Sequence, residues 1–125
     1  QSFGQYEGMT KAQLEQEYPS QFLALFSQNA AFCPPGGESL AHASQRIIHF
    51  LHKKMATTTH QTFCVVTHGH VMQGMLALLK EGNIDHFNRY AQPNASYTVL
   101  EAGGGEDMTL RWGIASHLLK LSSAE

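Results

Sequence analysis

The chain has 125 residues, of which 42% are hydrophobic and 14% charged, a composition typical of one globular domain and not of a disordered chain. Its formal net charge of −2 offers no basic surface for nucleic acid or an anionic membrane, and no apolar run approaches the roughly 20 residues that cross a bilayer. Cys33 and Cys64 lack the spacing of a disulfide framework or a zinc site, so we expect free thiols, no metal, no cofactor and a cytoplasmic location.

The N-terminal part predicts a loop followed by two helices. Residues 3–8 form a glycine-punctuated loop. Thr10 and Gln13 then make a capping-box pattern, which predicts a helix over residues 11–18. Pro19 suits the first turn of a second helix, because its fixed φ and missing N–H cost nothing there.

A long helix and a buried strand are predicted next. Ser39 is a natural N-cap for a helix over residues 40–55, where apolar side chains recur at helical spacing. Residues 61–67 predict a strand, and its continuously apolar part at 63–66 is typical of a strand covered on both faces, which would bury the Cys64 thiol. Such a strand is too apolar for an edge, so we expect another strand beside it.

The rest of the chain predicts two helices and a hairpin. The helices cover residues 71–80 and 84–90, and Gly82 ends the first of them. Residues 96–100 and 108–112 alternate as strands do, with the glycines at 103–105 as the turn. This order indicates an α/β chain.

His68 and Gly69 stand where the apolar strand ends and the next helix begins. Open α/β sheets bind ligands at the carboxyl ends of their strands, and the unpaired N–H groups of a helix start favour phosphate. Glycine would permit a sharp turn there and a close approach of the ligand. A histidine that only hydrogen-bonds within the fold explains the same pattern about equally well.

Five short motifs favour the phosphate-binding interpretation of His68 over the purely structural one. They are F-G-x-Y-E-G at residues 3–8, G-E-S at 37–39 followed by Arg46, V-x-H-G at 66–69, N-x-S at 94–96, and R-W with H-L across 111–118. In this order they resemble the histidine phosphatase superfamily, the phosphoglycerate-mutase-like enzymes. The resemblance implies a three-layer α/β/α fold, incomplete because the first strand is missing. Residues 1–125 would be the C-terminal two-thirds of a single histidine phosphatase domain.

The resemblance also implies roles for individual residues. His68 matches the family's second histidine, which binds the phosphoryl group, and the Gly69 amide would belong to the same phosphate pocket. Phe3 and Tyr6 would line the mouth of that pocket. Four further residues would serve as scaffold, or simply as caps and solvated surface groups: Glu7, Glu38, Arg46 and Asn94.

The sequence lacks the family's Arg-His-Gly motif, whose histidine is phosphorylated as the nucleophile. The family's acid–base glutamate would fall one position before Gln1. The resemblance therefore implies a parent enzyme that hydrolyses a small phosphomonoester through phosphohistidine, whereas this chain alone would be inactive. A missing N-terminal segment, a swapped protomer or a homo-oligomer would complete it.

One alternative remains from a different class, a non-catalytic domain that binds a phosphorylated ligand, a phosphate ion or a protein. His42 is a poor substitute nucleophile, because it lies on a predicted helix without a following glycine or an adjacent arginine. His70 and Gln73 stand where the family often has a small residue and an arginine, and they leave the substrate open.

Overall fold

A computed structural model describes residues 1–27, 29–57, 59, 62–102 and 108–119. Its contacts separate the chain into two compact units, Gln1–Tyr90 and Ala91–Glu125. The helices and strands of the described residues are α1 (Lys11–Glu17), α2 (Pro19–Phe26), α3 (Leu40–Thr57), α4 (Gly69–Glu81), β1 (Tyr97–Ala102) and β2 (Met108–Ile114). No helix within these ranges is long and apolar enough to cross a membrane.

The predicted caps of the first three helices are confirmed. The Gln13 amide donates to Thr10 Oγ1 at 3.2 Å, and the Thr10 amide donates to Gln13 Oε1 at 2.8 Å, which completes the capping box of α1. Pro19 occupies the first turn of α2. Ser39 Oγ accepts the His42 amide at 3.1 Å at the start of α3. Each of these caps depends on residues close together in sequence, so its formation does not depend on what the helix packs against.

An aromatic cluster joins the N-terminal loop to α1 and α2. Its buried members are Tyr6, Leu14 and Leu25, with Phe3, Met9, Phe22 and Phe32 packed around them. The Tyr6 ring meets the Tyr18 ring at a centroid distance of 5.3 Å. This cluster is the core of the first quarter of the chain.

Helices α3 and α4 cross closely at Ser44 and Gly74. The Ser44 side chain is fully buried, and its Oγ donates to the Leu40 carbonyl at 2.8 Å. A Cβ added at Gly74 would overlap Ser44 Oγ and press on the Ile84 side chain. The backbone of Gly74 has ordinary helical geometry, which any residue could adopt. Glycine is therefore needed at this position because there is no room for a side chain.

The predicted strand over residues 61–67 is wrong for the part that the structure describes. Residues 62–68 carry no strand assignment, and Gln61 lies outside the described residues. Val66 is 93% exposed, and Cys64, expected to be buried, is an exposed free thiol. A strand forms only with a hydrogen-bonding neighbour, and among the described residues β1 and β2 pair only with each other.

The predicted hairpin is confirmed in its strands. β1 and β2 pair antiparallel, with Leu100 opposite Leu110. The register shifts between Tyr97 and Val99, which indicates a β-bulge. On the opposite strand Gly113 has φ +67°, a backbone angle that glycine adopts without strain. The predicted turn at 103–105 lies outside the described residues.

The helix predicted over residues 84–90 is shorter than expected. Only Phe87–Tyr90 is helical, as a 3₁₀ turn. It is tied to the end of α4 by Glu81, whose carboxylate accepts the Tyr90 hydroxyl at 2.8 Å and lies 3.0 Å from His86 Nδ1. Hydrogen bonding from Tyr90, and then from His86, holds the pKa of Glu81 below its usual value. The four α-helices and the small antiparallel sheet of the described residues agree with part of an α/β fold.

Gly74→Ala should destabilise the protein by about 1–3 kcal/mol, the usual cost of overpacking a tight core. The added methyl has no room beside Ser44 Oγ. Denaturant unfolding monitored by circular dichroism measures the change. Gly69→Ala is the matched control, because a Cβ there meets nothing within 4 Å. Equal stability of the two variants would contradict the close crossing.

Candidate functional site

His68 stands at the N-cap of α4 with its side chain exposed. Its backbone is extended, with φ −114° and ψ 148°, and its side chain does not cap the helix. The His68 carbonyl accepts the Met72 amide at 3.0 Å, which is the first hydrogen bond of α4. The imidazole therefore lies at the start of the helix and makes no capping hydrogen bond.

The start of α4 presents free N–H groups next to this imidazole. In any α-helix the first N–H groups have no intrahelical acceptor, and together with the helix dipole they favour an anion. Gly69 has no positive φ, so the turn does not require glycine, contrary to our expectation. A Cβ at Gly69 would meet nothing within 4 Å, so the space above its backbone is open to a ligand.

His70, the second residue of α4, has a different environment. Its ring is half-buried against the Phe87 ring, with a centroid distance of 5.4 Å and an interplanar angle of 53°. Burial lowers the pKa of His70 below its usual value of 6.5. The His70 imidazole is therefore harder to protonate than a fully exposed one.

A polar junction connects Gln1 to the segment before α3, and the Arg46 side chain forms its exposed side. Gln1 Nε2 donates to the Glu38 carbonyl at 2.9 Å, and the Gln1 backbone nitrogen lies 3.9 Å from Glu38 Oε2. The Arg46 guanidinium forms a bidentate pair with the Glu38 carboxylate: Nε donates to Oε1 at 2.8 Å, and a terminal nitrogen donates to Oε2 at 3.0 Å. Hydrogen bonding from Arg46 is the largest cause that keeps the pKa of Glu38 low, so this pair stays charged.

The N-terminal loop reaches this junction by close backbone contact. The Gln5 amide donates to the Pro35 carbonyl, and the Glu38 amide donates to the Ser2 carbonyl, each at 3.0 Å. Gly4 has φ +54°, and a Cβ there would overlap the Pro35 carbonyl; a Cβ at Gly37 would press on the Ser2 carbonyl. Gly4 and Gly37, one from each of the first two motifs, thus allow close packing of backbone against backbone.

The structure places the expected lining residues in the aromatic cluster. Phe3 packs against the cluster, and Tyr6 is 7% exposed within it. Glu7 supports the same loop, because its carboxylate accepts the Ser2 hydroxyl at 2.8 Å and the Phe3 amide at 3.0 Å. Asn94 is exposed in the second unit.

Gln1 is the residue of this region that sequence reasoning missed. No motif marks it, since its importance lies in the burial of its amide and in its neighbours, which are tertiary features. Across the described ranges, no group of three or more His, Cys, Asp or Glu side chains is arranged to hold a metal ion.

The folding free energy should respond to His70 between pH 7.5 and pH 5. Because the folded pKa is below 6.5, the unfolded chain takes up the proton first, and stability falls as pH drops below 6.5. His70→Gln should flatten this part of the profile in urea unfolding, whereas His49→Gln, at an exposed position, should not. The pKa values of the Glu7, Glu38 and Glu81 carboxylates are also lowered, but protonation of these groups changes the stability only at a pH below their usual pKa of 4.5. Identical profiles for His70→Gln and the wild type would contradict the assignment.

The sequence of this chain matches a known protein family. Residues 1–115 match the model of the histidine phosphatase superfamily, branch 1. The chain is 29% identical over 115 residues to phosphoserine phosphatase 1 of Hydrogenobacter thermophilus, covering 92% of this chain and 54% of that protein. It is 27% identical over 82 residues to a 2,3-bisphosphoglycerate-dependent phosphoglycerate mutase of Cytophaga hutchinsonii, covering 64% and 38% respectively.

A second such mutase, from Gloeothece citriformis, is 31% identical over 80 residues, covering 62% of this chain and 34% of the mutase. The chain therefore spans about half, or less, of the length of the curated relatives it matches. The family match covers nearly the whole chain and includes the loop, the junction and the start of α4. This chain belongs to the histidine phosphatase superfamily.

Proposed function

We propose that this chain carries the His68 side of the phosphate pocket of an enzyme that hydrolyses a small phosphomonoester. The reaction would proceed in two displacements. A histidine outside this chain attacks phosphorus, the alcohol leaves with a proton, and water then hydrolyses the phosphohistidine. The relatives named phosphatase and mutase support phosphoryl transfer as the reaction class.

The observation that carries the proposal is the arrangement at the start of α4. An exposed imidazole, not used in capping, precedes a helix start whose backbone is open to close approach. A phosphoryl group placed there would receive hydrogen bonds from the Gly69 amide and from His68. Donors of this kind stabilise the charge that grows on the equatorial oxygens in the transition state.

The exposed apolar segment before His68 supports completion of the fold by further chain. Phe63 and Val65 are 40% and 36% exposed, and Val66 is 93% exposed. Apolar residues in this number are normally covered. We propose that a strand from an N-terminal segment, of the same molecule or of a swapped protomer that carries such a segment, covers them and also supplies the nucleophile. A reducing cytoplasm would suit the free thiols Cys33 and Cys64, both of which are exposed.

A second candidate function has its own support. The single His-Gly dipeptide of this sequence is at His68, and no Arg-His-Gly occurs. A domain of this sequence without a nucleophile would bind a phosphorylated ligand or a protein and release it unchanged. Turnover assays separate the two candidates.

In the full-length gene product, His68→Ala should lower kcat/KM for p-nitrophenyl phosphate by about 100- to 1,000-fold, the usual effect of removing one transition-state donor. His49→Ala, at an exposed position on α3, is the control and should keep the wild-type rate. Trapping of a phosphorylated histidine by rapid acid quench tests the covalent step. An unchanged rate in His68→Ala would remove His68 from the site.

The 125-residue chain by itself should not turn over p-nitrophenyl phosphate, because the nucleophile is not in it. An intact mass under denaturing conditions first establishes that the sample is 13.8 kDa with no second peptide. Steady-state assay of that sample then gives the rate. Turnover that disappears in His68→Ala would contradict this expectation.

A further inference from the structure

The start of α4 receives little support from its own first residues. The His68 side chain makes no capping hydrogen bond, and Gly69, the first residue of the helix, has no side chain to pack. Helix ends fray readily, and glycine loses more backbone freedom on ordering than any other residue. The two proposed donors to the phosphoryl group, the His68 imidazole and the Gly69 amide, therefore depend on tertiary contacts for their positions.

His70 is the first residue of α4 whose side chain is packed. Its ring lies against the Phe87 ring at a centroid distance of 5.4 Å and an interplanar angle of 53°, a tilted geometry that aromatic pairs favour. Val71, the next residue, is buried. Because adjacent residues point about 100° apart around a helix axis, the packing of both side chains opposes rotation of the first turn as well as its movement away from the core.

The ring that His70 contacts is fixed in the core. Phe87 is fully buried, and its amide donates to the Ile84 carbonyl at 3.1 Å. Both residues belong to the return segment, which we define as residues 82–90, from the end of α4 to the end of the following 3₁₀ turn. A buried ring of this size cannot move without displacing its neighbours, because protein interiors are densely packed.

The return segment contacts α4 along its length. At the last residue of the helix, the Glu81 carboxylate accepts the Tyr90 hydroxyl at 2.8 Å. In the middle of the helix, Ile84 packs beside Gly74, where an added Cβ would lie 3.1 Å from Ile84 Cδ1. The aromatic contact of His70 is the third and lies in the first turn. The return segment therefore supports α4 from its last turn to its first, and His70 carries that support to the first turn.

We propose that His70 is a positioning residue for phosphoryl transfer, which acts through its ring contact with Phe87. The contact fixes the first turn of α4, which holds the His68 imidazole and the Gly69 amide in place. This inference rests on the proposed function and adds a residue to its site. The role needs the ring of His70 and not its nitrogen atoms, so His70 itself touches no reacting group.

Hydrolysis of p-nitrophenyl phosphate by the full-length gene product, measured below the melting temperature of every variant, tests this role. His70→Ala removes the ring and should lower kcat by about 10- to 100-fold with a much smaller change in KM, because small displacements of transition-state donors are costly. His70→Phe supplies a ring without nitrogen atoms and should restore kcat. Leu79→Ala, which truncates a partly buried side chain near the other end of α4, is the control and should lower the melting temperature but not kcat.

The outcomes separate this inference from the proposed function. Wild-type turnover with an unchanged kcat in His70→Ala would overturn the inference and leave the proposed function intact. A kcat in His70→Phe as low as that in His70→Ala, or an equal loss in Leu79→Ala, would also overturn it. If either His70 variant does not fold, His70→Gln replaces His70→Ala and His70→Tyr replaces His70→Phe. Absence of turnover in the wild type would overturn the proposed function, and the inference with it.

Discussion

The close crossing of α3 and α4 is the constraint on which the candidate site depends. At Ser44 and Gly74 the two helices approach until no side chain larger than hydrogen fits at position 74. Protein interiors are packed too densely to absorb an extra methyl without displacement of an element. Because His68 and Gly69 lie at the N-terminus of α4, any shift of that helix would move the imidazole and the free amides together.

The second constraint brings residues that are distant in sequence to the same place. Gly4 and Gly37 allow the N-terminal loop to lie backbone against backbone on the loop before α3. That contact brings the Gln1 side chain to the Glu38 carbonyl. The glycines at positions 4 and 37 are therefore needed for the packing of two loops, which is a role separate from phosphate binding.

The success of prediction from sequence varied with how local each signal was. The helix starts at Thr10 and Ser39 follow from contacts within four residues. Gly82 ends α4 with φ +72°, again a local property. The apolar pattern at 62–67 carries no such self-sufficient signal, because a strand needs a partner whose position the pattern does not contain. Phe3 and Tyr6 pack in the aromatic cluster, and their place at the mouth of the pocket stays a prediction.

By itself, the sequence determined the family, the helices with their caps, the hairpin strands, and His68 at the start of a helix. Each of these depends on short-range spacing and on the chemistry of neighbouring residues. Only the tertiary structure decided that Gly69 is open to a ligand, that Gly74 is needed for space, and that burial lowers the pKa of His70. These properties arise from burial and from contacts between segments far apart in sequence. Local patterns do not encode them, because the same residues would be solvated in another packing.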